Sequence, residues 1–289
     1  MHKTLTKLPG NAYQMIITVP WNDIKTAYVR IFDRIAEEVE VSGFRKGKAP
    51  KELAAKQVNS QVVYEEVAKE IIPGIYQDSV KEYGLHPIIT PHISLQEAQE
   101  GKDWKISITS CDKPKLTIGD YHKAVTELKR SKNQKIWTPD KNTDEKKDED
   151  AKVTLDELFT ALANVIQVEL AEVLIETELN RSLSRMYGEL GKLGLSLEQY
   201  LAAQSKTATQ LREEERKKII SSLTLEFALE EIADMEKVTV EPAEIEAIIA
   251  KAKTEEEKTS LKNESYYLTT MLRRQKTINS LMKDTVIKP

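Results

Sequence analysis

The chain has 289 residues, of which 31% are charged, 40% hydrophobic and 6% aromatic, and its net charge is -4. This length corresponds to about two domains, and the low aromatic content, with 10 Gly and 10 Pro, favours long helices over a many-turned β protein. The slightly acidic charge excludes a protein that binds nucleic acid over its whole surface, so any such contact must come from a local basic cluster.

Metal-binding and membrane segments are not expected either. The single cysteine, Cys111, excludes an intramolecular disulfide framework and a cysteine-based zinc site. The four histidines, His2, His86, His92 and His122, show no metal-ligand spacing. Because the first residues lack the apolar core of a signal peptide and no run of about 18 apolar residues occurs, we expect a cytoplasmic protein without membrane contact, metal or cofactor.

The first predicted elements are a strand and a long helix. Residues 13–19 are rich in β-formers and end at Pro20, which predicts a strand. Apolar residues then recur at helical spacing as far as Gly43, which predicts an amphipathic helix of about five turns. They are Ile24, Tyr28, Ile31, Ile35 and Val39.

A glycine-rich basic loop follows this helix. Glycine tolerates backbone angles closed to other residues, and proline pre-sets the first turn of a following helix, so we expect the side chains between them to be held out for contact. The loop residues are Gly43, Phe44, Arg45, Lys46, Gly47, Lys48, Ala49 and Pro50. A solvated turn between two helices is the alternative, but an aromatic side chain at a loop tip favours a covered contact.

The rest of the first region reads as two helices and a hairpin. A short helix is predicted from Pro50 to about Gln57 and a longer one over residues 60–83, with Pro73 suggesting a kink. Residues 88–95 and 103–110 flank a polar turn, and apolar and polar residues alternate in the second of these segments. Residues 1–113 are therefore predicted to form an α+β domain, a small antiparallel sheet packed on helices.

Residues 114–150 have the composition of a linker. The stretch 121–130 is compatible with an extended strand, and residues 141–150 are a run of alternating charges. Because fewer than about 40 residues rarely fold without metals or disulfides, we place no domain here.

From residue 151 the pattern is helical, and it predicts an all-α domain over residues 151–289. Four segments match the capping-box form: Thr154-x-x-Glu157, Ser196-x-x-Gln199, Thr207-x-x-Gln210 and Thr254-x-x-Glu257. Long helices are predicted before Gly191 and over 208–235. A short helix lies between them, and two further helices reach about residue 282.

The order of these parts resembles the bacterial trigger factor family of ribosome-associated chaperones. The loop is similar to that family's ribosome-docking signature, G-F-R-x-G-x-x-P, and the later stretch 193–201 is similar to its helical domain. The resemblance implies docking at an exit-tunnel protein and adjacent ribosomal RNA, and ATP-independent holding of nascent or unfolded polypeptides. It leaves open a homodimer off the ribosome.

One part of the family pattern has no counterpart. An FKBP-type peptidyl-prolyl isomerase domain normally separates the two regions, and residues 114–150 are too few and too charged for it. We therefore expect a short member that holds chains without enzymatic activity, so no catalytic residue is assigned. The alternatives are residual isomerase activity, or an off-ribosome cytosolic holdase or assembly chaperone.

Candidate contact residues follow from this comparison. The ribosome-binding candidates are the loop residues Gly43, Phe44, Arg45, Lys46, Gly47, Lys48 and Pro50. Apolar residues around the glycine-containing turn of the helical half are candidates for holding substrate, because Met, Leu and Tyr side chains suit promiscuous contact. They are Met186, Tyr187, Leu190, Leu193, Leu195, Leu197, Tyr200 and Leu201. We expect Tyr266, Tyr267 and Met271, by contrast, to pack the last helix.

Overall fold

A computed structural model describes residues 1–39, 44, 50–134, 153–252 and 254–283. The chain forms two compact units. The first comprises Met1–Pro114 and Leu170–Thr177, and the second comprises Lys115–Glu169 and Glu178–Pro289. The first unit carries a small antiparallel sheet with helices, and the second is mainly helical, which confirms the predicted fold class.

The sheet of the first unit has four strands in the order β1-β2-β4-β3, all antiparallel. They are β1 (His2–Leu8), β2 (Ala12–Val19), β3 (His92–Glu97) and β4 (Trp104–Cys111). The predicted first strand and hairpin are confirmed as β2 and as β3 with β4. Strand β1 was not predicted, because Thr and Lys fill most of its positions and leave only Leu5 and Leu8 as apolar markers.

Three helices accompany this sheet: α1 (Trp21–Glu38), α2 (Lys51–Gln57) and α3 (Ser60–Tyr83). Alternate residues of β2 and β4 face α1 and α3, so that Met15, Ile17 and Ile108 are completely buried. Helix α3 begins where the Asn59 side chain accepts a hydrogen bond from the Gln61 backbone N–H, and it ends at Gly84 in the left-handed conformation.

The segment Leu170–Thr177 packs closely on the turn between β1 and β2. Gly10 has a φ of +67°, and a Cβ added to it would lie 2.3 Å from the Ala171 backbone nitrogen. Only glycine meets both conditions, since a side chain there would collide with backbone as well as strain its own dihedral angles.

The second unit begins within the segment predicted to be a linker. Residues Leu116–Ile118 form β5, which pairs with β6 (Ile166–Val168), and Tyr121–Gln134 form helix α4. The predicted linker is therefore wrong for residues 115–134, and the predicted extended stretch at 121–130 is helical. This segment needs no core of its own, because Tyr121 and Val125 are buried in a core built mainly by later residues. Residues 135–152 lie outside the described part of the chain.

Seven more helices are described in the C-terminal part: α5 (Leu155–Ala163), α6 (Glu172–Lys192), α7 (Leu197–Ala203), α8 (Ala208–Met235), α9 (Pro242–Ile249), α10 (Glu255–Asn263) and α11 (Ser265–Lys283). All four predicted capping boxes are present, at the starts of α5, α7, α8 and α10. After α8 the structure has three helices where the sequence predicted two.

The core of the second unit lies where α4, α5, α8 and α11 meet. Leu158, Leu162 and Ile232 are completely buried there, and Leu281 of α11 is 4% exposed. Arg273 donates to Asp234 across 2.5 Å, which ties α11 to α8 at the edge of this core.

Candidate functional site

The predicted contact loop lies between the end of α1 and the start of α2. Phe44 and Pro50 are described, whereas Gly43, Arg45, Lys46, Gly47, Lys48 and Ala49 lie outside the described residues. The Phe44 side chain is 46% exposed, and Pro50 is also exposed. An aromatic side chain is therefore about half exposed to solvent, and in the sequence it stands next to Arg45, Lys46 and Lys48.

The helix before this loop is packed on α3 through the core and also forms two surface ion pairs with it. Arg30 pairs with Glu70, and Arg34 lies 3.4 Å from Glu66. Glu66 also accepts a hydrogen bond from Lys69, and the two cations hold the pKa of its carboxyl below the usual range. The two arginines of α1 are thus engaged within the unit and belong to its fold.

The helix after the loop starts from Pro50. Its carbonyl oxygen accepts from the Leu53 and Ala54 backbone N–H groups at 3.0 and 3.1 Å. Ala54 is buried, which fixes α2 to the unit, while Leu53 is 41% exposed. Leu53 was not predicted from the sequence. It lies in the first turn of α2, three residues after Pro50, and is the exposed apolar residue described nearest to the end of the loop.

A second candidate surface surrounds the turn between α6 and α7. Gly194 has a φ of +70°; its N–H donates to the Gly191 carbonyl, and the Leu195 N–H donates to the Leu190 carbonyl. This paired pattern ends α6 as a Schellman motif. The Ser196 capping box starts α7 immediately afterwards, so the turn has a fixed backbone.

Most of the predicted substrate-holding residues are accessible around this turn. Leu193 is 73% exposed, Tyr187 46% and Leu195 43%. Met186, Leu197, Tyr200 and Leu201 are half-buried. Leu190 is only 6% exposed, so it packs inside and is not available as a contact residue.

The start of α11 carries a third exposed apolar surface. Tyr266 is 86% exposed, Tyr267 60% and Met271 50%. The prediction that these residues pack the last helix is therefore wrong. Tyr267 and Met271 are four residues apart and lie on one side of the helix. The local reason is that none of the residues described between 242 and 272 is buried, so α9, α10 and the first turns of α11 offer no core for them.

The buried titratable groups serve packing. Tyr13 and Tyr76 share a 3.0 Å hydrogen bond, and Tyr28 donates to Glu100 at 3.1 Å. Burial raises the pKa of both Tyr13 and Tyr28, which keeps each hydroxyl neutral. In the part of the chain that the structure describes, no group of three His, Cys, Asp or Glu is placed to hold a metal ion. None of the helices described there is long and apolar enough to cross a membrane.

Two family models match the sequence. One, described as bacterial trigger factor protein, covers residues 1–150, and the other, described as the C-terminus of that protein, covers residues 140–288. The two matches overlap and leave no residues between them.

The individual relatives that match the sequence are also trigger factors. The trigger factor of Staphylococcus carnosus (strain TM300) is 28% identical over 121 residues, which are 42% of this chain and 28% of the relative. That of Pediococcus pentosaceus is 26% identical over 151 residues, 52% of this chain and 34% of the relative. That of Streptococcus pyogenes serotype M1 is 31% identical over 115 residues, 40% of this chain and 27% of the relative. The matched region thus spans only about a quarter to a third of each relative.

A solved structure shares the fold. Its description reads "Promiscuous Substrate Recognition in Folding and Assembly Activities of the Trigger Factor Chaperone". The two chains are 13% identical with a TM-score of 0.63, and the superposition covers 98% of this chain and 100% of the other.

Proposed function

The chain belongs to the bacterial trigger factor family, and from this premise we propose that it is an ATP-independent chaperone that docks at the ribosomal exit tunnel and holds nascent or unfolded polypeptides. The observation that carries the proposal is the coexistence of an exposed aromatic side chain, Phe44, in the first unit with exposed apolar surfaces in the second. Docking at a ribosome places its action in the cytoplasm.

Docking is assigned to residues 1–113 through the loop at 43–50. Phe44 is the apolar anchor, Arg45 donates bidentately to phosphate or carboxylate, and Lys46 and Lys48 supply point charges. The receptor is an exit-tunnel protein with ribosomal RNA beside it. Because few charges take part, binding is reversible and weakens as salt increases.

Holding is assigned to the helical part, with α4 included. The exposed side chains at Leu193, Leu195 and Tyr187 are one contact surface, and Tyr266 and Tyr267 with Met271 are another. Each such side chain contributes about 1–2 kcal/mol when a client covers it, before the entropy of ordering is subtracted. The affinity from apolar burial depends on how hydrophobic a client segment is and not on its exact sequence. A chaperone of this kind can therefore bind many different polypeptides.

The proposed mechanism is binding and release without catalysis. The isomerase domain of longer family members has no place between two adjacent matched regions. A proline-limited refolding assay tests this point, because uncatalysed isomerisation takes tens of seconds. We expect no acceleration of the slow phase, and a catalytic acceleration at substoichiometric protein would favour residual isomerase activity instead.

Ribosome co-sedimentation tests docking. We expect a variant with Phe44→Ala, Arg45→Ala and Lys46→Ala to lose most ribosome binding. A matched control with Ile88→Ala, Lys81→Ala and Lys102→Ala removes one exposed apolar and two positive side chains from the same unit, and we expect it to bind normally. Equal ribosome binding by the wild type, the loop variant and the control variant would reject docking through the loop and favour a chaperone that works off the ribosome.

Suppression of aggregation of a chemically unfolded protein tests holding. We expect Leu193→Ser with Leu195→Ser to weaken suppression several-fold, and Tyr266→Ser with Tyr267→Ser to do the same. Val29→Ser is the control, because Val29 is 49% exposed but lies on α1 of the first unit. If the control loses as much activity as the two test variants, the assigned surfaces are wrong.

A further inference from the structure

Strand β1 is an open edge of the sheet. It pairs with β2 over all seven residues, from His2 opposite Thr18 to Leu8 opposite Ala12. No strand of the described residues lies on its other side. Such an edge presents a row of backbone N–H and C=O groups that another extended chain can satisfy.

The opposite edge of the sheet is blunted. Strand β3 has an irregular register between Leu95 and Glu97, and Pro91 directly precedes it. Bulges and prolines are features that hinder edge pairing. Strand β1 has neither a bulge nor a proline within His2–Leu8. Of its two lysines, Lys3 is held by Glu82 of α3 at 2.7 Å, and Lys7 is the exposed charge on this edge. The two edges therefore differ in their capacity to accept a further strand.

A cleft of about 480 Å³ lies at the end of β1. Leu8, Pro9, Ala12 and Thr109 line its sheet side, and Leu170, Glu172, Val173 and Glu176 line the other. All of these residues belong to the first unit. Leu8 is 38% exposed, so the edge of the strand leads directly to the apolar wall of the cleft.

We propose that β1 and this cleft bind an extended segment of an unfolded polypeptide, which pairs with β1 as a fifth strand and places one apolar side chain in the cleft. The proposal rests on the holding function proposed above and adds a second mode of holding. Only an extended backbone matches the regular donors and acceptors of a strand edge. Glu172 and Glu176 line the same cleft beside Leu8 and Val173, so its wall is both apolar and polar.

Backbone pairing complements the apolar surfaces of the helical part. Hydrogen bonds to the main chain are the same for every sequence, and β1 spans about 23 Å at roughly 3.3 Å per residue. A client held in this way lies in the unit that carries the contact loop. The protein would therefore bind an unfolded segment with its first unit as well as with the exposed surfaces of the helical second unit.

Hydrogen exchange of the full chain with reduced, carboxymethylated α-lactalbumin tests the proposal. We expect amides of residues 2–8 to gain at least several-fold protection when this permanently unfolded client comigrates with the protein. Comigration without added protection at residues 2–8 would overturn the edge site and leave the holding function standing. Absence of comigration would overturn both.

Matched variants give a second measurement. Leu8→Asp places a charge at the mouth of the cleft, and we expect it to weaken client binding several-fold. Ile93→Asp is the control, because Ile93 is 41% exposed on the other edge strand, β3. Equal affinities of the two variants for the client would overturn the proposal, and circular dichroism of both checks that the sheet remains folded.

Discussion

The Tyr121 hydroxyl donates a 2.6 Å hydrogen bond to Glu236 Oε1 and so ties the start of α4 to the end of α8. The two residues are 115 positions apart. His122 Nε2 lies 3.1 Å from the same oxygen. Together with the buried ring of Tyr121, this contact explains why a segment with the composition of a linker is a fixed part of the helical unit.

Replacing Tyr121 with Phe should lower the free energy of unfolding of the helical unit by about 1.5 kcal/mol, because it removes one hydrogen bond to a carboxylate and retains the buried ring. Chemical denaturation followed by circular dichroism measures the change. Tyr266→Phe is the control, since Tyr266 is 86% exposed and should give no change. Equal stability of wild type and Tyr121→Phe would show that α4 is held by packing alone.

The same contact predicts a loss of stability at high pH. Burial, and then the hydrogen bond to Glu236, raise the pKa of Tyr121 above its ordinary value of 10.0. The folded state favours the neutral hydroxyl, so this contribution is complete below pH 10 and is lost as the pH rises above it. Denaturation at pH 9 and pH 11 should show a smaller decrease for Tyr121→Phe than for wild type. Identical decreases would contradict the prediction.

Stability at low pH should depend on Glu157. Its carboxylate accepts from Lys132 Nζ at 2.8 Å and from the Thr154 N–H at 3.0 Å, which lowers its pKa to about 2. The contribution is complete above the unfolded pKa of about 4.3 and is lost as the pH falls toward 2. Glu157→Gln should therefore weaken the acid dependence of unfolding between pH 5 and 2. An unchanged acid profile would show that the Lys132 contact does not stabilise the fold.

Local signals in the sequence predicted the elements whose cause is local. The four predicted capping boxes are confirmed, because each depends only on two residues three positions apart. The hairpin strand β4 was found because Trp104, Ile106 and Ile108 alternate with polar residues. The loop at 43–50 was identified by its composition and by resemblance, and of its residues the structure places Phe44 and Pro50.

What the sequence could not provide depends on distant partners. Lys129 donates to the Leu281 carbonyl 152 positions away, and no local pattern in residues 121–130 indicates that contact. Tyr266 and Tyr267 are apolar enough to predict a packed helix. They are exposed because none of the described residues 242–272 belongs to a core that could cover them. Strand β1 can be recognised only from its pairing with β2, because its own sequence has only Leu5 and Leu8 as apolar residues.

Gly10→Ala should destabilise the first unit by more than the 1–2 kcal/mol of a left-handed alanine, because the new Cβ would also collide with Leu170 and Ala171. Thermal unfolding measures the loss. Gly101→Ala is the matched control, since Gly101 has a φ of +79° but nothing lies within 4 Å of its added Cβ. Equal losses would mean that segment 170–171 moves aside without penalty.

Cys111 should report on the opening of the first unit. It is completely buried, and burial, with the nearby Asp112 charge as a smaller cause, raises the pKa of its thiol to about 11. The thiolate is the reactive form, so alkylation at pH 8 should be very slow in the native protein and complete in denaturant. As the chain has one cysteine, the labelled fraction read by mass spectrometry is the fraction of molecules that have opened.

The same label connects this opening to the contact at Gly10. Cys111 lies opposite Ala12 in the sheet, and Ala12 also lines the cleft beside segment 170–173. If that segment protects this end of the sheet, Gly10→Ala should raise the native alkylation rate several-fold, whereas Gly101→Ala, at the far hairpin turn, should leave it close to that of wild type. Equal rates for both variants would show that segment 170–173 packs against the sheet without controlling access to its interior.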